Sequence, residues 1–274
     1  MLLFAATNGP HDPKPMEHVM DTYTWEIFPL YHIEFSTWPF SKFTVLMFLA
    51  AALICAIYIP LAKHIQQGGI PRGLFWNLFE SILEFIRNNV AKPYISHHPD
   101  RYVPFLWTIF LFILVCNLLG MFPFLGSPTA SIAVTGTLAA IVFCFMHLSG
   151  LRENGPKQHA MAFVPHLDMP LPLKIGILAM LVPIEVIGLV IRCFVLAVRL
   201  FANMFAGHMV LATIILFIYS ARHLHPGLFW TITAGSVFGS IALSLLELFV
   251  AFLQAFIFTF LTALFLGSIL HPEH

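Results

Sequence analysis

The chain has 274 residues, 59% of them hydrophobic and only 9% charged, with 13 basic and 13 acidic side chains. A soluble domain carries about 25% charged residues, so this composition excludes an ordinary water-soluble globule. The formal net charge is zero, so nothing points to a nucleic acid as partner.

Several apolar runs exceed the roughly 20 residues that a spanning helix needs. None alternates like a barrel strand, so the spans are expected to be helical. Residues 1–40 are polar and rich in proline and aromatics, and read as a surface segment on the outer side. The opening "MLLFAATNGPHDPKP" has no basic n-region and does not resemble a classical cleaved signal. Residues 41–274 read as the membrane-embedded domain.

A first span is predicted over 42–62, followed by a loop, "KHIQQGGIPRG", marked by glycine, proline and charge. In the next stretch Leu78, Phe79, Ile82, Phe85, Ile86 and Val90 share one helical face. Glu80, Glu84, Arg87 and Asn88 lie on the other. This is an amphipathic helix suited to the membrane surface or to a partner helix, with simple packing as the plainer alternative. Two more spans are predicted at 104–124 and 130–148, joined by the tight "LGSPTA", and 149–171 reads as a polar, proline-rich loop.

Two long apolar segments follow, 172–221 and 228–269, separated by "RHLHPG". Fifty helical residues reach ~75 Å, whereas the hydrocarbon core is only ~30 Å thick. Each segment is therefore either two ordinary spans or one long, strongly tilted helix. "RCFVLAVR" contains no turn former, which favours the long helix, with Pro183 as a place for a kink. Charge agrees. With five crossings, Lys63, Arg72, Arg87, Lys92, Arg101, Arg152 and Lys157 fall on one side, and only Lys14, Lys42 and Arg222 on the other. The positive-inside rule then puts the N-terminus outside and the C-terminus inside. The expected fold is an all-α integral membrane protein with about five crossing helices, two of them long and tilted, plus an amphipathic surface helix.

The four cysteines (Cys55, Cys116, Cys144, Cys193) are far apart in apolar segments and read as buried free thiols. His97, His98, His223, His225, His271 and His274 stand at loops or ends. No H-x-x-x-H pair supports a metal site, and no cofactor is implied.

The polar residues inside the spans point to function. A charge at the bilayer centre costs at least ~2.5–3.5 kcal/mol. On an ideal helix Glu185, Arg192, Arg199 and Asn203 fall within an arc of about 40°, and His208 lies about 180° from Arg199. On the last helix Ser236, Ser240, Ser244, Glu247 and Gln254 form a stripe about 80° wide. If the two helices run antiparallel with Arg199 level with Gln254, Glu247 lies level with residue 206, within a turn of His208. An imidazole and a carboxylate can relay protons near neutral pH. An arginine does not deprotonate, so it serves as an electrostatic gate. Neither stripe offers Arg199 a carboxylate at i±3 or i±4, so the charge that answers it is expected on another chain. Glu185 with Arg192 reads equally as an internal ion pair, and Asn203 and Asn117 equally as interhelical glue.

"AVRLFANMFAGH" followed by "ELFVAFLQAFIFTFLTALFL" resembles subunit a of F-type ATP synthases, as do "NLLGMFPF" and "PIEVIGLVIRCFVLAVRL". The resemblance covers most of residues 40–270. It implies two long tilted helices against a rotating ring of c subunits. Arg199 matches the essential stator arginine, Gln254 the glutamine facing it, and Asn203 an asparagine lining the pathway. His208 and Glu247 match two positions that pair a histidine with a carboxylate, in the reverse of the common bacterial order. Glu185 and Asn117 match recurrent polar positions, and Ser244 lies along the same outer path. The implied partners are the c-ring with its carboxylates, peripheral-stalk b subunits, lipid, protons and, indirectly, a soluble ATP-synthesising sector. No G-x-x-x-x-G-K-[ST] motif is present, so nucleotide chemistry is not expected in this chain. A self-contained secondary transporter is the rival from another class. It calls for a midplane substrate site, often with inverted repeats, and no duplicated halves are evident.

Overall fold

A computed structural model describes residues 24–28, 31–34, 41–66, 73–95, 98–122, 126–161, 171–223 and 225–270. Among the described residues the membrane part is built of helices and short turns. Five helices are long and apolar enough to cross a bilayer. Here α1 is Lys42–Gln66, α2 is Leu74–Phe85, α3 is Pro99–Gly120, α4 is Ile132–Met161, α5 is Leu171–Ser220 and α6 is Pro226–Leu270. Before them, β1 (Thr24–Phe28) and β2 (Tyr31–Glu34) pair antiparallel, with Trp25 opposite Ile33. This small hairpin lies in the segment read from sequence as a polar surface segment, for which no strand was foreseen.

The two long segments are single helices of 50 and 45 residues. α5 continues through Pro183, and the turn between α5 and α6 is a short 3-10 stretch, Ala221–His223. At 1.5 Å per residue both are over twice the ~30 Å depth of the hydrocarbon, so each must incline or protrude.

The core forms where α3 is wedged between α1 and α6, while α6 also packs on α5 and α4. α3 begins cleanly because His98 adopts the left-handed conformation (φ 51°) and Pro99 occupies its first turn, where a missing N–H costs nothing. Its buried residues, including Leu106, Phe110 and Ile113, join Leu196 and Leu200 of α5 and Phe258 and Leu266 of α6 in one cluster. The outer faces of α5 and α6 carry exposed apolar side chains such as Met180, Phe194, Phe238 and Phe249, which suit lipid or a partner.

The amphipathic helix is present but not uniform. No α2 residue is buried, and Leu74, Phe75 and Leu78 are exposed. A π-helical stretch follows at Ile86–Ala91, where Ile86, Val90 and Ala91 are fully buried, and then one α-turn, Lys92–Tyr94. Trp107 of α3 donates to the Leu83 carbonyl at 2.9 Å. Tyr94 meets Phe260 edge to face at 5.0 Å. The backbone carbonyl of Tyr94 lies so close to Gly267 that no β-carbon fits there.

Two expectations need correction. The stretch after residue 148 is not a loop at once, because α4 runs to Met161 and departs from helical geometry only at Gly155 (φ 75°). Its extension is held by partners: Asn154 donates to the last carbonyls of α6, Ile269 and Leu270, at 3.1 and 3.4 Å, and Glu153 pairs with Arg101 and accepts from Tyr102. Such bonds satisfy carbonyls that a helix end leaves without partners. The cysteines divide: Cys116 and Cys193 are buried, whereas Cys55 and Cys144 are exposed. A thiol behaves as a small hydrophobe, so an apolar segment accepts it on either face.

At the foot of α3, Arg87 holds Asp100 through two bonds, Nε to Oδ1 at 2.7 Å and Nη2 to Oδ2 at 3.0 Å. The carboxylate raises the already high pKa of Arg87, so the cation persists at any working pH. The pair is exposed and fixes geometry more than it adds stability.

Candidate functional site

α5 and α6 run antiparallel, and three contacts fix their register. The Arg192 guanidinium lies over the Phe265 ring, 5.6 Å from its centroid. Asn203 Nδ2 donates to Gln254 Oε1 at 2.8 Å. A β-carbon on Gly207 would stand 2.7 Å from Glu247 Oε1. Glu247 therefore packs against residue 207, one position from the level expected from sequence, and Gln254 is bonded to Asn203, one turn along from Arg199.

Arg199 is exposed, on the same side of α5 as Asn203 and Arg192, which are exposed too. No ion pair reaches it among the described residues. Exposed apolar residues, including Ile191 and Val195, flank this polar stripe. A guanidinium there is poorly served by lipid alone.

Glu247 and Gln254 are buried on α6, at 7% and 2% exposure, although the stripe on which they lie looked polar from sequence. Glu247 Oε1, Gln254 Nε2 and His208 Nε2 are buried without a hydrogen-bond partner among the described residues. An unpaired buried polar atom costs ~1–3 kcal/mol, and three of them cluster within two turns of the α5–α6 contact. His208 follows Gly207 directly, so it stands beside the Glu247 carboxylate level, but no hydrogen bond joins the two. Ser244 is half-buried three residues before Glu247 on the same helix. Glu185 lies in α5, but its side chain falls outside the described residues.

Asn117 is completely buried on α3. Its Nδ2 donates to the Ala251 carbonyl of α6 at 3.2 Å, and its Oδ1 accepts from Thr129 at 2.7 Å. Thr129 and its neighbour Ser127 received no role from sequence, because a serine and a threonine in a turn are unremarkable. Lys42 was also passed over. It is buried at the start of α1, with Nζ 3.3 Å from where a Gly126 β-carbon would stand. No group of three potential metal ligands occurs among the described residues.

The fold and site thus define a polytopic helical membrane protein with two long antiparallel helices, an exposed arginine on one of them and, on the other, a buried carboxylate packed on Gly207. The family profile described as "ATP synthase A chain" matches residues 44–267. Among curated relatives, ATP synthase subunit a of Chloroherpeton thalassium is 38% identical over 96% of this chain and 80% of its own length. ATP synthase subunit a 2 of Chlorobaculum tepidum is 37% identical over 92% of this chain and 71% of its own. ATP synthase subunit a of Myxococcus xanthus is 38% identical, with 85% and 74% covered. The chain belongs to the ATP synthase A chain family, the proton-translocating subunits of the synthase membrane sector.

Proposed function

We propose that this chain provides two half-channels that load and unload carboxylates on a rotating c-ring, without catalysing nucleotide chemistry itself. Protons from the outer side pass near Asn117, Ser244, His208 and Glu247 and neutralise a ring carboxylate, which lets that ring subunit turn into lipid. After nearly a full rotation the proton leaves on the inner side, along the face that includes Glu185. Arg199 separates the two paths. It favours the ionised ring carboxylate as each subunit passes and opposes a direct proton leak. Gln254 and Asn203 border that meeting point. The torque drives ATP synthesis in a soluble sector, and b subunits of a peripheral stalk hold the chain still. The charge bias supports an N-terminus outside and a C-terminus in the cytoplasm, and the relatives' sources favour a bacterial inner membrane.

The observation that carries this reading is Arg199, exposed on a polar stripe flanked by apolar side chains and without a carboxylate partner among the described residues. A permanent charge so placed calls for a counter-charge from a neighbouring protein. In membranes carrying Arg199→Ala, coupled ATP synthesis is expected to fall to background while the complex still assembles. Parent-level coupled synthesis by an assembled Arg199→Ala complex would reject the gate.

A further inference from the structure

Ser127, Thr129 and Asn117 form a buried chain of hydrogen bonds that ends on the helix carrying Glu247. Their exposures are 1%, 2% and 0%, so each polar atom depends on the next for a partner. Ser127 Oγ and Thr129 Oγ1 are 2.7 Å apart, Thr129 Oγ1 is 2.7 Å from Asn117 Oδ1, and Asn117 Nδ2 is 3.2 Å from the Ala251 carbonyl.

Valence fixes the direction of this chain. The Ala251 carbonyl only accepts, so the amide nitrogen of Asn117 must face it. Asn117 Oδ1 then faces Thr129, which must spend its single proton there. Thr129 Oγ1 can therefore only accept from Ser127. Every donor points toward α6, and the chain ends on a peptide carbonyl. A proton has nowhere to go from that end, so the chain is a strut and not a wire.

Its far end is well placed. Ala251 is one turn beyond Glu247 on α6. Glu247 in turn rests on Gly207, where a β-carbon would stand 2.7 Å from Oε1. At the near end, Ser127 is seated against Gly120 so closely that a β-carbon on Gly120 would collide with it. This contact ties the 3-10 turn Pro128–Ala130, which Ser127 precedes, to the end of α3.

We propose that Ser127 and Thr129 are positioning residues for the proton pathway. Through Asn117 they set the depth of α6 against α5, and so the place of the Glu247 carboxylate beside His208. This rests on the half-channel reading above and adds to it two residues that neither touch a proton nor face the ring.

The test uses ATP-driven acidification of inverted membrane vesicles, expressed per assembled complex. Thr129→Val keeps the side-chain shape, removes the donor and leaves Asn117 Oδ1 buried and unpaired. The expected loss is about tenfold, and Thr129→Ser, which keeps the hydroxyl, is expected to stay within about twofold of the parent. Ser127→Ala spares the bond to Asn117 and should cost only about two- to threefold. If Thr129→Val fails to assemble, Ser127→Ala carries the test. Parent-level rates in whichever of these two is measured overturn the proposal. So does a Thr129→Val loss that Thr129→Ser shares, or one that only tracks a lower amount of complex. Glu247→Gln, measured in parallel, separates the two levels. If it pumps like the parent, the pathway reading falls and the strut's role with it. If it is silent while Thr129→Val pumps normally, only the strut is rejected.

Discussion

Gly207 shows how one missing side chain places a functional one. Glu247 Oε1 occupies the space that a methyl group there would need. Gly207→Ala is therefore expected to push the carboxylate off its seat on α5, because the far end of Glu247 is what can move. Proton pumping should fall by about an order of magnitude with little change in the amount of assembled complex, since a flexible side-chain tip yields cheaply. Immunoblotting together with vesicle acidification checks both halves, and a loss of assembly with normal pumping per complex would contradict the geometry. The polar members of the site were legible in the sequence because charge inside a membrane is costly, so Arg199, His208 and Glu247 stand out unaided. Gly207, Ser127 and Thr129 were not. Glycine, serine and threonine are common in packed membrane helices, and only the fold reveals what lies across from them. The Phe265 ring beside Arg192 was likewise not legible, because a ring face leaves no charge signature along the chain.

Among elements, α6 is the one that the others grip. Its middle is held by Asn117 and Asn203, and its last turn by Asn154 and the carbonyl of Tyr94. The contact at Gly267 is between backbones, so nothing can swing aside. Gly267→Ala is expected to destabilise the subunit by ~1–3 kcal/mol, the usual range for overpacking. It should appear as lower abundance and a lower inactivation temperature, with near-normal turnover per surviving complex. Unchanged abundance would show that the surface helix does not press on α6 as described. The long helices were predictable from length against bilayer thickness and from the lack of a turn former. The extension of α4 was not, because "SGLRENG" is polar and reads as loop. Its helix persists through contacts with α3 and the end of α6 that lie far off in sequence.

For the whole molecule, the distribution of lysine and arginine assigns two sides to a fold that is otherwise apolar throughout. Arg152, in the extension of α4, belongs to the side rich in basic residues, and Arg222, in the turn between the long helices, to the poor one. Cysteines introduced at these positions should label oppositely with a membrane-impermeant maleimide. In intact cells Arg222→Cys is expected to react and Arg152→Cys to be protected, and inverted vesicles should reverse the pattern. Equal labelling of both in intact cells would reject the five-crossing arrangement.

The π-helical stretch Ile86–Ala91 has a consequence for the whole surface helix. On a regular α-helix Ile86 and Ala91 would stand about 140° apart. Where the bonds run from i to i+5 they stand one above the other, and both are fully buried. The stretch thus acts as a phase corrector. The helix ahead of it keeps Leu74 and Phe75 turned outward, and behind it Ile95 is buried again while the Tyr94 carbonyl reaches Gly267. The stretch thereby holds one residue more than a regular α-turn needs. Removing one of the exposed residues 87–89 would let the turn close from i to i+4, and the carbonyl seated on Gly267 would keep its place.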